Sequence, residues 1–187
     1  EDGRIDPTTV RVITERTRLL ALTHASNVTG AITPLVDILP AARAVGALVV
    51  LDTCQSAAHL PLDFAALHAA GVDAMVLSSH KMLGPTGIGA LVAAEELLEA
   101  MPPMLTGGSM IEVVRMESST YMSGPARFEA GSQPLAQAAG WRTAVDYLSG
   151  LGMDRLHAGE LDLMQRVLDG LAALDGVRVL GPADTRE

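Results

Sequence analysis

The sequence predicts an α/β fold: a mostly parallel sheet flanked by helices. Three observations carry that expectation. Apolar runs of strand length recur at 18–22, 47–51 and 74–77; segments of helical periodicity separate them; and each run ends in polar residues rather than in a hairpin turn. Strands joined through helices pair in parallel, because the crossover restores the chain's direction whereas a tight turn reverses it.

The run 18–22 opens into Thr23, His24, Ser26 and Asn27, the pattern of a buried strand entering a loop. A helix should follow, with Thr33 as its cap, Pro34 at the first helical position, Leu35, Ile38, Leu39 and Ala42 at helical spacing, and Gly46 as its stop. The strand 47–51 ends at Asp52. A short helix over 63–70 is stopped by Gly71, and the strand 74–77 leads into Ser78, Ser79, His80 and Lys81. In sheets of this topology, with right-handed crossovers and helices covering the faces, ligands bind beyond the carboxyl ends of the strands. Here those ends carry His24 and Asn27, Asp52 and Gln55, then Ser78, His80 and Lys81.

Residues 84–89 form a glycine-rich turn, 88–93 a further strand, and 95–101 a short helix halted by Pro102 and Pro103. Between Met104 and Ser123 the periodicity fades, which predicts a long and partly irregular excursion. Helices are expected over 135–148 and 154–174, parted by Gly150-Leu151-Gly152, and a new strand over 177–180.

Composition excludes several functions. A chain of 187 residues, 49% of them hydrophobic, is long enough to bury one sizeable core, that of a domain and part of a second. The net charge of -9 and pI near 4.9 argue against a surface that tracks nucleic-acid phosphates. No segment approaches the ~20 apolar residues of a membrane helix, and the first residues do not read as a signal peptide, so a cytoplasmic protein is expected. The single Cys54 excludes an internal disulfide, and the five histidines lack metal-ligand spacing. The chain starts at Glu1 without a methionine and stops at Glu187 after a strand-like run, which suggests a piece of a longer protein.

Lys81 follows a buried strand, comes after His80 and precedes a glycine-rich turn, a placement suited to an imine with an aldehyde cofactor. An isolated loop lysine is more often a solvated charge, and here the neighbours reverse those odds. Asp52 is placed to hydrogen-bond a protonated pyridine nitrogen, though a strand-terminal cap is the alternative. Gln55 reads either as a donor to a ring oxygen or as a satisfied buried amide. Ser78 and His80 both suit a phosphate. The 84–89 turn is not a nucleotide-binding P-loop, since no Gly-Lys-Ser/Thr ends it. Cys54 reads as a buried thiol rather than a nucleophile.

The stretch Asp73-Ala-Met-Val-Leu-Ser-Ser-His-Lys81, with Gly84-Pro-Thr-Gly-Ile-Gly-Ala-Leu91 behind it, resembles the lysine signature of class V pyridoxal 5'-phosphate (PLP) enzymes. Thr23-His-Ala-Ser-Asn-Val-Thr-Gly30, Leu51-Asp-Thr-Cys-Gln-Ser56, Met101-Pro-Pro103, Gly107-Gly-Ser-Met-Ile111 and Arg127-Phe-Glu-Ala-Gly131 extend the likeness to group II cysteine desulfurases of the SUF type, over nearly the whole chain. That resemblance implies the fold type I large domain of a PLP-dependent transferase, incomplete at both ends. Residues 1–150 would be the partial PLP-binding large domain, and 151–187 a connecting helix and the start of a small domain.

By the same resemblance Lys81 is the cofactor-linked catalytic lysine, Asp52 pairs with the pyridine nitrogen, Gln55 contacts the phenolic oxygen, and Ser78 and His80 hold the phosphate. Asn27 faces the substrate side. In the implied homodimer Gly131 and Ser132 reach the phosphate of the partner's cofactor, with Ser132 where the family usually has Thr. The substrate would be L-cysteine and the sulfur acceptor a protein of the SUF system serving iron–sulfur assembly. Four family residues have no match here: a phosphate-binding threonine and a ring-stacking histidine from an N-terminal segment, and a persulfide-forming cysteine and a carboxylate-binding arginine from a C-terminal one. Cys54 does not match the nucleophile's position. Selenocysteine lyase, another class V aminotransferase or lyase, and a non-catalytic dimerising module stay open at this point.

Overall fold

Short aliphatic and β-branched runs bounded by turn residues favour strands over helices. In the computed structural model, which describes residues 3–183, they become β1 (Leu19–Thr23), β2 (Leu48–Asp52) and β3 (Ala74–Ser78). The three lie parallel in chain order, Leu20 beside Val49 and Leu51 beside Met75. A fourth strand, β4 (Gly89–Ala93), returns antiparallel to β3 with Gly89 opposite Ser78. The mostly parallel sheet is thus present, closed on one side by a reversed strand.

Register decides the core. Side chains alternate between faces, so Leu20, Leu22, Val49, Leu51, Met75, Leu77 and Val92 share one face. On it pack Leu35, Leu39 and Ala42 of α1 (Leu35–Ala44) and Phe64 and Leu67 of α2 (Phe64–Ala70). Two right-handed crossovers stepping the same way put both helices on the same side of a sheet. Leu51 and Val72 are fully enclosed, whereas Leu19, Leu48 and Leu91, on the opposite face, are 41 to 56% exposed.

Helix ends follow local chemistry with one departure. Asp63 caps α2 by accepting from the amides of Ala65 and Ala66, and Gly71 ends it in the left-handed conformation at φ 119°. Thr33 does not cap α1. Its hydroxyl donates instead to the carbonyl of Thr23 at the end of β1, and Pro34 takes the cap position without a side-chain bond.

Beyond β4 come α3 (Glu95–Ala100), α4 (Leu135–Leu151) and α5 (Met153–Ala172). Two expectations need correction. The 104–123 stretch contains an antiparallel pair, β5 (Ile111–Val114) and β6 (Ser119–Tyr121), with an irregularity between Ile111 and Val113 that breaks the alternation a sequence reader looks for. Residues 177–180 form no strand, since neither sheet among the described residues supplies a partner for them. The expected end at Glu187 lies outside the described residues. Among those residues, no helix is long and apolar enough to cross a membrane, and no cluster of His, Cys, Asp and Glu could hold a metal.

Candidate active site

The parallel register brings the carboxyl ends of β1, β2 and β3 to one edge, with Thr23 beside Asp52 and Asp52 beside Val76. Past that edge the chains stay tied together: His24 N–H donates to the Asp52 carbonyl (2.8 Å), and the Thr53 amide and hydroxyl both donate to the Val76 carbonyl (3.1 and 2.7 Å). The Asp52 side chain is exposed, and its Oδ1 accepts from the Cys54 amide at 2.9 Å. The cap role weighed from sequence is therefore real, and it engages Oδ1.

Cys54 lies between Asp52 and Lys81 electrostatically. Its thiol is pushed up first by burial, then by the hydrogen bond and charge of Asp52, while the charge of Lys81 pulls it back down. The net effect is upward from the ordinary thiol value. Cys54, read from sequence as a buried thiol, is only partly buried, and its Sγ donates to the Val76 carbonyl at 3.8 Å.

Lys81 ends a single 3-10 turn, Ser79–Lys81, and is exposed. The turn is closed around the Ser79 carbonyl, which accepts from the amides of Met82 (2.8 Å) and Gly84 (3.0 Å), while the Ser79 amide donates to Ile88 (3.2 Å). Leu83 sits at φ 60°, unusual for a residue with a branched side chain and sustained only where the surroundings hold it. On the outer side of the turn Ser78 Oγ and His80 Nδ1 are 3.0 Å apart. A hydroxyl, an imidazole, a carboxylate and an amine thus stand along one sheet edge, open to a ligand.

Gln55 is partly buried in the 53–60 turn, next to Ser56, whose hydroxyl pairs with Nδ1 of the buried His24 at 2.9 Å. Burial holds the His24 imidazole below its ordinary pKa. Asn27 is exposed in the loop that leaves His24, a loop closed by the Ala25–Ile32 bridge. Gly131, at φ 82°, donates to the Gly108 carbonyl (2.8 Å), and Ser132 is exposed. Among the described residues no hydrogen bond or ion pair joins them to Lys81. A cavity of about 490 Å³ lined by His24, Leu60, Asp63 and His157 lies on the α2 side and does not include Lys81.

Three residues have no role assigned from the sequence. Ser79 and Trp141 both approach Gly84 in the lysine turn, and Arg127 donates to the carbonyls of Leu98, Glu99, Met101 and Met122 and to the Glu99 carboxylate. The lone tryptophan beside Gly140, in a helix otherwise short of aromatics, was the available signal for the first pair.

The family model described as aminotransferase class-V matches residues 1–187. The chain is 50% identical over 182 residues to a probable cysteine desulfurase 2 of Mycobacterium leprae, covering 97% of this chain and 43% of that protein. The cysteine desulfurase CsdA of Escherichia coli superposes with a TM-score of 0.88 at 34% identity, over 96% of this chain and 45% of that one. A lysine-to-alanine mutant of C-DES with glycine covalently linked to its PLP cofactor superposes at 0.85 and 27% identity, over 98% and 49%. The chain therefore spans less than half the length of the curated relatives it matches.

Proposed function

The chain belongs to the class-V aminotransferase family, and from that membership we propose that the protein is a PLP-dependent cysteine desulfurase. The observation that carries this reading is the gathering of Asp52, Ser78, His80 and Lys81 at one sheet edge. The donor set fits the cofactor: one carboxylate for a protonated pyridine nitrogen, a hydroxyl and an imidazole for a phosphate, and an exposed amine for an aldehyde. When bound, the cofactor supplies an electron sink for negative charge on the substrate's α-carbon.

This chain's residues would divide the work around it. Lys81 holds the cofactor and then moves the proton on the substrate's α-carbon. Asp52 keeps the ring nitrogen protonated through a charge-assisted hydrogen bond, Gln55 donates to the phenolic oxygen, and Ser78 and His80 orient the phosphate. Asn27 borders the substrate side. Gly131 and Ser132 act on the partner's cofactor in a homodimer, as the resemblance implies. L-cysteine is the substrate, alanine the product, and the sulfur passes to the cysteine of the C-terminal segment that the resemblance implies, not to Cys54, which does not match the nucleophile's position. Delivery to a SUF acceptor for iron–sulfur assembly, a cytoplasmic location, and the division into a large domain over 1–150 and a connecting helix with the start of a small domain over 151–187 belong to the same proposal.

The test is direct. Incubation with PLP and borohydride should leave a cofactor-sized mass on the peptide containing Lys81, and in the full-length protein L-cysteine should yield alanine, with sulfide released when dithiothreitol reduces the persulfide. Lys81→Ala should lose the adduct and lower alanine formation by about 10²–10⁴-fold, the range for a removed proton-transfer group. An adduct elsewhere, or pyruvate and ammonia in place of alanine, would refute the reading. Cys54→Ser should leave alanine formation unchanged.

A further inference from the structure

Two buried polar atoms lack a hydrogen-bond partner among the described residues: Ser79 Oγ and Trp141 Nε1. They converge on one place. A Cβ at Gly84 would lie 2.3 Å from Ser79 Oγ and 3.1 Å from Trp141 Cδ1, the carbon bonded to Nε1. The Ser79 hydroxyl therefore occupies the space that Gly84 leaves open, with the indole edge against the same spot. Helix α4 reaches this point by crossing the Gly84–Pro85 turn through its own Gly140, where a Cβ would meet Pro85 Cγ at 3.2 Å.

Orphaned buried donors are rare, and the two groups are complementary: the indole N–H only donates, while the hydroxyl also accepts. A small rotation or one enclosed water satisfies both. Ser79 is also the hub of the lysine turn, since its carbonyl receives the Met82 and Gly84 amides and its amide is tied to Ile88. Between those anchors lies Leu83 with its left-handed backbone, a conformation that needs support from outside the turn.

We propose that Trp141 is a positioning residue for Lys81: its indole N–H bonds the Ser79 hydroxyl, directly or through one buried water, and so holds α4 against the turn that aims the lysine amine. The consequence for cofactor capture rests on the function proposed above, whereas the bond itself does not.

The experiment compares the protein with Trp141→Phe, Ser79→Ala and the double variant, by NMR of the indole N–H, hydrogen exchange and release of PLP. The Trp141 indole N–H should exchange slowly, and its resonance should move in Ser79→Ala. Protection of the Met82 and Gly84 amides should fall about 10-fold in each single variant and no further in the double, as expected for two ends of one bond. Release of PLP should quicken by a matching factor. An indole N–H that exchanges at the solvent rate, or single effects that add in the double variant, would overturn the proposal. Ser79→Ala removes only an oxygen, so it decides the matter even if Trp141→Phe folds poorly. Should the unmodified protein form no PLP adduct at Lys81, the cofactor reading falls, and the exchange measurements still decide the bond.

Discussion

Residues 19–93 and residues 104–134 hold their shape by different means. The first stretch lays four strands over α1 and α2, and its centre, from Leu39 to Met75, is closed to solvent. The second encloses Met110 but leaves Met104, Leu105, Val114 and Met116 exposed, and it is tied down by point contacts. Arg127 clasps four backbone carbonyls and Glu99, Glu99 accepts from the Gly124 amide, and Gly131 donates to Gly108. Burial spreads stability over many atoms, so single losses are shared. Point contacts concentrate it, so that a single side chain decides whether a segment keeps its place.

Four measurements would break or sharpen that contrast. Leu51→Ala, at the fully enclosed centre of β2, should cost about 2–5 kcal/mol by urea unfolding. A loss under about 1 kcal/mol would mean that the centre is not close-packed and the contrast is false. Arg127→Met should cost about 1–3 kcal/mol, chiefly through carbonyls left unpaired, because the half-exposed Glu99 ion pair adds little by itself. Its signature in hydrogen exchange should be confined to 98–131, leaving the amides of β1 to β3 unaffected. An equal loss across both regions would show that the second segment supports the first.

A third measurement uses pH. Burial holds the His24 imidazole below the 6.5 it has when unfolded. The unfolded chain therefore binds the proton first, and stability should fall as pH drops below 6.5 toward the folded value, then level off. His24→Asn should flatten that part of the profile, and an unchanged profile would assign the slope to other groups. Smallest of all, Met116→Lys, at a fully exposed position of the β5–β6 hairpin, should stay within about 0.5 kcal/mol.

The same contrast explains what could be read in advance. The strands and helices of 19–100 were legible because burial on one face writes a period into the sequence, as in Leu35, Leu39 and Ala42 or in Val49 and Leu51. The polar strand ends were legible because the topology fixes where they must lie. Thr33 misled because a hydroxyl before a helix serves equally well as a partner for a neighbouring strand end, and only tertiary structure chooses. The β5–β6 pair was missed because its irregular ladder and exposed side chains leave no alternation to detect. The run 177–180 looked like a strand by composition, yet a strand exists only with a neighbour. Trp141 and Ser79, more than sixty positions apart in sequence, both approach Gly84, which has no side chain, and no local pattern records that.

The antiparallel return of β4 bears on how the length of this chain can vary. The ten positions from Ser79 to Ile88 begin and end on paired strands, with Ser79 N–H bonded to Ile88 and Ser78 opposite Gly89. One residue inserted or deleted there would slip the β3–β4 register and turn Val92 out of the core face. Gains and losses of residues should therefore be borne by the hairpin and turns of 104–134, while the stretch that carries Lys81 keeps a constant count.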